Sequence, residues 1–278
     1  MKLTYTASLK EYDVKNKLLE IIASKAITTV FQPIFNVQSK TILGYEALTR
    51  GPENTELYSP DNLFYFATQY DLISELEILC RDKAITRFAE LKLQGKLFLN
   101  ISPLVLLSKN HPQGETIKFV QQAGLSCDQI VIELSEKYPV PNDSMLSEAL
   151  AKYRQFGFDV AIDDLGAGYS GLKLWSQLRP DIVKIDRYFV DNCHQDSFKR
   201  KFLKAIFDLA QSAKAQVIVE GIETIEEFEL LERLGMVYAQ GFYLAKPAIT
   251  PIRYYPKYLD ADYQYYSKSP RVNDASFG

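Results

Sequence analysis

Apolar and polar positions alternate along this chain in blocks that predict short buried strands separated by amphipathic helices. Five apolar runs stop on a carboxylate or an amide: Thr41–Glu46, Leu97–Asn100, Ile130–Glu133, Val160–Asp164 and Val217–Glu220. Runs this short, bounded by turns and helical patterns, read as buried strands. Another strand spans Thr29–Phe35, and two more end near Lys184 and Gln240. Helical spacing covers residues 12–24, where Val14, Leu18, Leu19, Ile21 and Ile22 share a broad apolar face. A second helical stretch starts with Ser59 as cap and Pro60 at the first helical position and runs through about Leu93. Further helical patterns lie near 114–123, 144–155, 171–177, 197–213 and 224–234. The link Asn36–Lys40 is too short for a parallel crossover of about a dozen residues. The first two strands are therefore expected to run antiparallel. Eight strands alternating with helices predict an α/β fold, a modified TIM (β/α)8 barrel with its first strand antiparallel to the others.

This pattern divides the chain into an N-terminal helical segment at 1–25, the barrel at 26–255 and a C-terminal tail or truncated linker at 256–278. The last stretch, from about Tyr255, is rich in Tyr, Asp, Ser and Pro and reads as a closing helix followed by a loose tail. No internal repeat and no low-complexity tract is visible.

Composition narrows the chemistry. The chain has 278 residues, of which 47% are hydrophobic and 24% charged, enough for a sizeable core in a single large domain. A net charge of −3 lacks the basic footprint of a duplex nucleic-acid binder, though a small nucleotide still fits a local site. No apolar stretch reaches the ~18 residues of a membrane span, and Met1–Lys10 lacks the apolar core of a signal peptide. A cytoplasmic location is expected. Cys80, Cys127 and Cys193 have neither zinc-finger spacing nor a disulfide framework, and read as reduced thiols. With His111 and His194 both in polar, loop-like sequence, a His-rich metal site is excluded. Any metal would be held mainly by oxygen.

Polar groups at the C-terminal ends of strands are where a β/α barrel builds its active site. Several acids meeting there are unstable without cations, because like charges at close range cannot all stay ionised. Taken singly, each acid reads as readily as a solvated strand end, and Lys184 as an ordinary ion-pair partner.

The ordered motifs carry more. Tyr45-Glu46-Ala47-Leu48-Thr49-Arg50 resembles the signature of the EAL-domain family of cyclic di-GMP phosphodiesterases. Phe31-Gln32-Pro33-Ile34 is similar to that family's first-strand motif, Leu99-Asn100-Ile101-Ser102-Pro103 to its Asn motif and Glu133-Leu134-Ser135-Glu136 to its paired-Glu motif, all in its order. Then come Asp163-Asp164-Leu165-Gly166-Ala167-Gly168-Tyr169-Ser170, Lys184-Ile185-Asp186, Glu220-Gly221-Ile222-Glu223-Thr224 and Gln240-Gly241-Phe242. The resemblance covers about residues 26 to 250.

The resemblance implies hydrolysis of cyclic di-GMP, a bacterial second messenger, to linear pGpG by two-metal activation of water. It implies that Glu46, Asn100, Glu133 and Asp163 hold one divalent cation. Asp163 would bridge to a second, completed by Asp164 and Glu220. Oxygen-only ligation suits Mg²⁺ or Mn²⁺, and the longer bonds of Ca²⁺ are expected to inhibit. Lys184 would be a catalytic lysine; Glu220 is open between metal ligand and general base. Gln32, Leu48, Arg50 and Gln240 would contact substrate, with the Arg50 guanidinium suited to a phosphate oxygen. Gln32 and Gln240 read alternatively as satisfied amides at strand ends. Phe242, Tyr243 and Tyr169 either stack on guanine or pack internally. Glu136 and Glu223 would stabilise the Gly-rich loop from Asp163 to Gly171.

Three positions depart from the commonest family pattern: Leu165 stands for Phe, Ala167 for Thr and Ser135 for Thr. None removes an expected ligand; losing the Thr hydroxyl at Ala167 bears on regulation more than on catalysis. Arg50-Gly51-Pro52, Tyr58-Ser59-Pro60 and Leu63-Phe64 resemble a subgroup in which this domain comes first in a longer chain, so any regulatory module is expected beyond the tail or on another protein. A homodimer through helices near the Gly-rich loop is also expected. The alternative reading is a non-catalytic cyclic di-GMP receptor, which typically lacks some of the ligands.

Overall fold

The computed structural model describes residues 2–108, 114–135, 143–166 and 171–259, without the side chains of 2–12, 143 and 258. Eight strands close into a barrel in sequence order: β1 (Thr28–Asn36), β2 (Thr41–Arg50), β3 (Lys96–Asn100), β4 (Ile130–Ser135), β5 (Asp159–Leu165), β6 (Ile182–Ile185), β7 (Gln216–Val219) and β8 (Tyr238–Ala239). β1 pairs antiparallel with both β2 and β8, and every other neighbouring pair is parallel. The short Asn36–Lys40 link therefore acts as expected.

The helices are α1 (Lys2–Ser24), α2 (Pro60–Gln69), α3 (Ile73–Glu90), α4 (Pro103–Leu106), α5 (Glu115–Gln122), α6 (Asp143–Gln155), α7 (Gly171–Leu178), α8 (Arg187–Val190), α9 (Ser197–Ala213) and α10 (Ile225–Arg233). Ser59 caps α2 by accepting from the Asn62 N–H, with Pro60 opening the helix. The single helix expected from Ser59 to Leu93 is instead two. Asp71 adopts a left-handed φ of 59°, and the Tyr70 N–H closes α2 on Phe66. Neither Gly nor Pro marks this break, so the pattern alone did not show it. The short α4 and α8 were likewise not foreseen, being single turns after strands. The closing helix expected near Tyr255 reduces, among the described residues, to a 3-10 turn at Lys257–Leu259.

Three apolar clusters hold the fold. The barrel interior is filled by Ile34, Phe98, Val131, Ala161, Ile182 and Ile218, one from each of six strands. The larger cluster lies between the outer strand faces and the helices. A third joins Leu18 and Ile21 of α1 to Leu57, to Leu63 and Ala67 of α2, and to Leu76 and Leu79 of α3. α1 is thus packed against the barrel's helical layer.

Side chains alternate along a strand, so residues i and i+2 face the same side. Two positions beyond each interior apolar residue comes a polar one: Asn100 after Phe98, Glu133 after Val131, Asp163 after Ala161, Lys184 after Ile182 and Glu220 after Ile218. Because β1 runs the other way, its counterpart Gln32 precedes Ile34. The barrel's inner face is therefore apolar within and polar at one mouth, the face formed by the C-terminal ends of β2–β8.

Candidate active site and metal centre

At that mouth Lys184 is completely buried, with its Nζ 2.7 Å from Glu133 Oε1, 2.7 Å from Glu220 Oε1, 3.1 Å from Asp163 Oδ1 and 3.3 Å from Glu46 Oε2. One ammonium with three N–H groups cannot serve four carboxylates. By distance the contacts are ion pairs that a single ammonium shares among four carboxylates. Among the described residues Glu133 Oε2, on a fully buried side chain, has no hydrogen-bond partner, while Glu133 Oε1 and Asp163 Oδ1 have the shared Lys184 ammonium beside them.

The charges follow from this imbalance. Burial pushes the Glu133 carboxyl well above its ordinary value, and Glu46 and Asp163 reinforce the rise that Lys184 opposes. Glu220 is raised well above its ordinary value, first by burial and then by Asp163. Burial raises Asp163 as well. Burial alone would lower Lys184, but Asp163, Glu133, Glu220 and Glu46 together hold it well above its ordinary value. A single cation shared among these acids is over-supplied with anions while each anion is under-neutralised. The centre calls for more positive charge than the protein provides.

Two groups of acids are spaced to receive it. Glu46, Glu133 and Asp163 form one, and Asp163, Asp164 and Glu220 the other, with ligand oxygens within 4.8 Å of one another in each. Asp163 belongs to both. Consecutive residues in a regular strand face opposite sides, so Asp163 and Asp164 could not share a site on a regular β5. The β5–β6 register shifts between Ile162 and Leu165, and Asp164 takes a left-handed φ of 57°, which Asp tolerates better than most residues. The Ser135 hydroxyl donates to Asp164 Oδ2 at 2.9 Å, so the Ser that replaces Thr still provides a hydroxyl here. The all-oxygen donor set, the under-neutralised carboxylates and the excess negative charge fit a pair of hard divalent cations.

The amides are organised around Glu46. Asn100 Nδ2 donates to Glu46 Oε1 at 3.2 Å, and Gln240 Nε2 to Glu46 Oε2 at 2.7 Å. Gln240 Nε2 also reaches Gln32 Oε1 at 3.1 Å, and Gln32 Nε2 donates to the Ala245 carbonyl at 3.1 Å. Gln240 Oε1 has no partner among the described residues. Glu46 itself is not a strand end: β2 continues to Arg50, because antiparallel β1 pairs with it as far as Thr28.

Beside the acids opens a cleft of ≈620 Å³, lined among others by Leu48, Arg50, Phe64, Asn100, Asp163 and Asp164. Arg50 donates to the Thr49 carbonyl at 2.8 Å. Tyr243 packs against Phe228 at 5.8 Å, while Phe242 is exposed with Lys246 5.6 Å from its ring. Glu223 pairs with Arg187, whose guanidinium also donates to the Gly221 carbonyl. Glu136, Ala167, Gly168 and Tyr169 lie outside the described residues.

The sequence did not single out Glu77 and Arg81. They form a buried pair on α3, 3.3 Å apart, and both line the cleft. Burial pushes the Glu77 carboxyl up to about 7. The only signal was opposite charges at i and i+4, which is usually a solvated helix pair.

A family model described as the EAL domain matches residues 15–247. The chain belongs to the EAL domain family. Among curated relatives of this EAL chain is "Probable cyclic di-GMP phosphodiesterase PdeA" of Escherichia coli, 28% identical over 220 residues, or 78% of this chain and 30% of that protein. The chain thus spans about a third of the length of that relative. Among solved structures is a standalone EAL protein from Vibrio cholerae in its c-di-GMP bound form. It is 31% identical with a TM-score of 0.73, over 83% of this chain and 94% of that one. Klebsiella pneumoniae BlrP1, solved as a manganese complex with the same ligand, is 28% identical with a TM-score of 0.74, over 80% of this chain and 56% of that one.

Proposed function

We propose that this EAL domain is a cyclic di-GMP phosphodiesterase that opens one phosphodiester bond of the ring to give linear pGpG. The observation that carries the reading is the convergence of Glu46, Glu133, Asp163, Asp164 and Glu220 at the barrel mouth, in two oxygen groups sharing Asp163. The names of the phosphodiesterase relative and of the ligand-bound structures support the substrate.

Glu46, Asn100, Glu133 and Asp163 would hold one Mg²⁺ or Mn²⁺, and Asp163, Asp164 and Glu220 the other. Such a pair supplies a nucleophile from water near neutral pH and charge neutralisation on the phosphodiester. Arg50, at the cleft wall, offers its guanidinium fork to a phosphate oxygen. Leu48 provides apolar wall; Gln240 holds Glu46 in place, Gln32 accepts from Gln240, and both amides position the substrate. Lys184 keeps the carboxylates gathered and balances negative charge that develops during reaction. Glu220 has two roles open to it, ligand and acceptor of the water's proton. Glu220→Gln keeps an oxygen donor but cannot take a proton, so retained metal binding with lost turnover assigns it as the base.

The test is pGpG formation by purified protein with Mg²⁺ or Mn²⁺, with and without chelator. Turnover abolished by chelator is expected. Binding of cyclic di-GMP without turnover in either metal would make the domain a receptor instead. Excess Ca²⁺ is expected to suppress the rate, since its longer bonds and looser geometry misplace the nucleophile; an unchanged rate removes that part. A homodimer, a cytoplasmic setting and a regulatory module beyond the tail or on another protein belong to the same proposal on the family resemblance, and sedimentation tests the first. Among the described residues no helix is long and apolar enough to cross a membrane.

A further inference from the structure

The buried Glu77–Arg81 pair has no part in the chemistry above, yet it stands within the cleft wall. Burying two charges is costly, and replacing such a pair by apolar side chains of similar volume is often neutral or stabilising. Its neighbours on α3, Leu76, Leu79, Ala84 and Ile85, are apolar core residues, so stability alone gives no reason for charge at these positions. The contact pattern does. Both Glu77 oxygens accept from the Ser102 backbone N–H, at 3.1 and 3.3 Å. Ser102 lies two residues after Asn100 and caps α4 by accepting from the Leu104 N–H at 3.2 Å. Asn100 in turn donates to Glu46. The turn that carries Asn100 out of β3 is thereby fastened to α3 by one carboxylate, and Arg81 supplies the counter-charge that lets the carboxylate be there.

We propose that Glu77 is a positioning residue for the cation site: through the Ser102 N–H it holds Asn100 at the geometry needed to complete the ligand set around Glu46. This rests on the metal reading above. Groups that orient ligands from behind cost about 10- to 100-fold in metal affinity when removed.

Two double variants separate positioning from structural support. Glu77→Leu with Arg81→Met removes the charges and the acceptor, while Glu77→Gln with Arg81→Met removes the charges but keeps an oxygen for the Ser102 N–H. Urea unfolding in chelator measures stability, and calorimetric titration with Mn²⁺ alone measures affinity. The Leu/Met protein is expected to match the wild type in stability but to bind Mn²⁺ about 10- to 100-fold more weakly. The Gln/Met protein is expected to recover most of that loss. A third variant, Ser102→Pro, removes the donor instead, and proline fits the φ of −70° found there. It should weaken Mn²⁺ binding similarly, with Ser102→Ala as the control for the lost cap. Wild-type affinity in both the Leu/Met and the Pro variants overturns the proposal. A wild-type protein that binds no Mn²⁺ defeats the metal reading itself, a result distinct from unchanged binding in the variants.

Discussion

At the scale of single residues, the centre turns on charge arithmetic. Lys184 is the one cation touching Glu46, Glu133, Asp163 and Glu220 among the described residues, and it is wholly buried. Lys184→Met leaves buried carboxylates without a partner. In chelator it is expected to cost about 3–5 kcal/mol of stability, read from urea unfolding, and added Mn²⁺ should restore part of the loss. A variant as stable as the wild type in chelator would mean that the lysine does not hold the acids together. Glu46→Ala removes a proposed ligand and the acceptor for both Asn100 and Gln240. Its activity is expected to fall by more than the ~100-fold that loss of an outer contact brings, with the fold intact by circular dichroism. Wild-type activity in that variant contradicts the ligand role. Most of these residues were legible in the sequence, because an apolar run that ends on an acid is visible without coordinates. Glu77 and Arg81 were not, because an i,i+4 charge pair is read as solvent-facing until the packing around it is known.

At the scale of elements, the irregular end of β5 matters most. The strand must deliver two consecutive aspartates to one site and then turn away. Gly166 makes that turn at φ 99°, and a Cβ placed there would lie 2.0 Å from Phe189 Cε2 on α8. Phe189 cannot simply retreat, since it stacks on Phe202 of α9 with ring centroids 3.9 Å apart. Gly166→Ala is expected to cost ~1–3 kcal/mol through overpacking, beyond the backbone strain that any side chain meets at such a φ. Gly235 shares the backbone conformation, at φ 79°, but nothing lies within 4 Å of its Cβ position. Gly235→Ala should therefore lose less, and equal losses in urea unfolding would show that strain alone governs both. The strand runs, the Ser59 cap and the antiparallel first pair followed from local pattern and loop length. The Asp71 break between α2 and α3 did not, because nothing in its residue types departs from a continuous helix.

At the scale of the whole molecule, barrel closure converts separated acids into a pH-dependent energetic cost. Glu133, Asp163 and Glu220 all have folded values raised by burial. The folded protein therefore keeps protons that the unfolded chain has released, and stability falls as pH climbs above the ordinary carboxylate range. The raised Lys184 contributes stability that is fully present below its ordinary value of 10.5 and so stays constant through that window. Divalent cations, held as proposed, would bind the deprotonated acids and offset the cost. At about 100 times its Kd a bound ligand adds ~2.7 kcal/mol, or roughly 5–10 °C for a domain of this size. The rise in melting temperature on replacing chelator with Mn²⁺ is expected to be larger at pH 8 than at pH 5.5. An equal rise at both values would show that cation binding is not linked to these carboxylates.

The amino-acid order alone determined the barrel, its reversed first strand and the polar residues at its mouth, because strand periodicity, loop length and motif order are local properties that survive without coordinates. Tertiary structure decided which of those residues meet. Only closure brings Lys184 among four carboxylates, three within β2, β4 and β5 and one just past β7, only the irregular β5 end puts Asp163 and Asp164 in one site, and only the packing of α3 under the Asn100 turn gives the Glu77 carboxylate its partner. Each depends on distances between segments far apart along the chain, and such distances are set when the sheet closes and its helices dock.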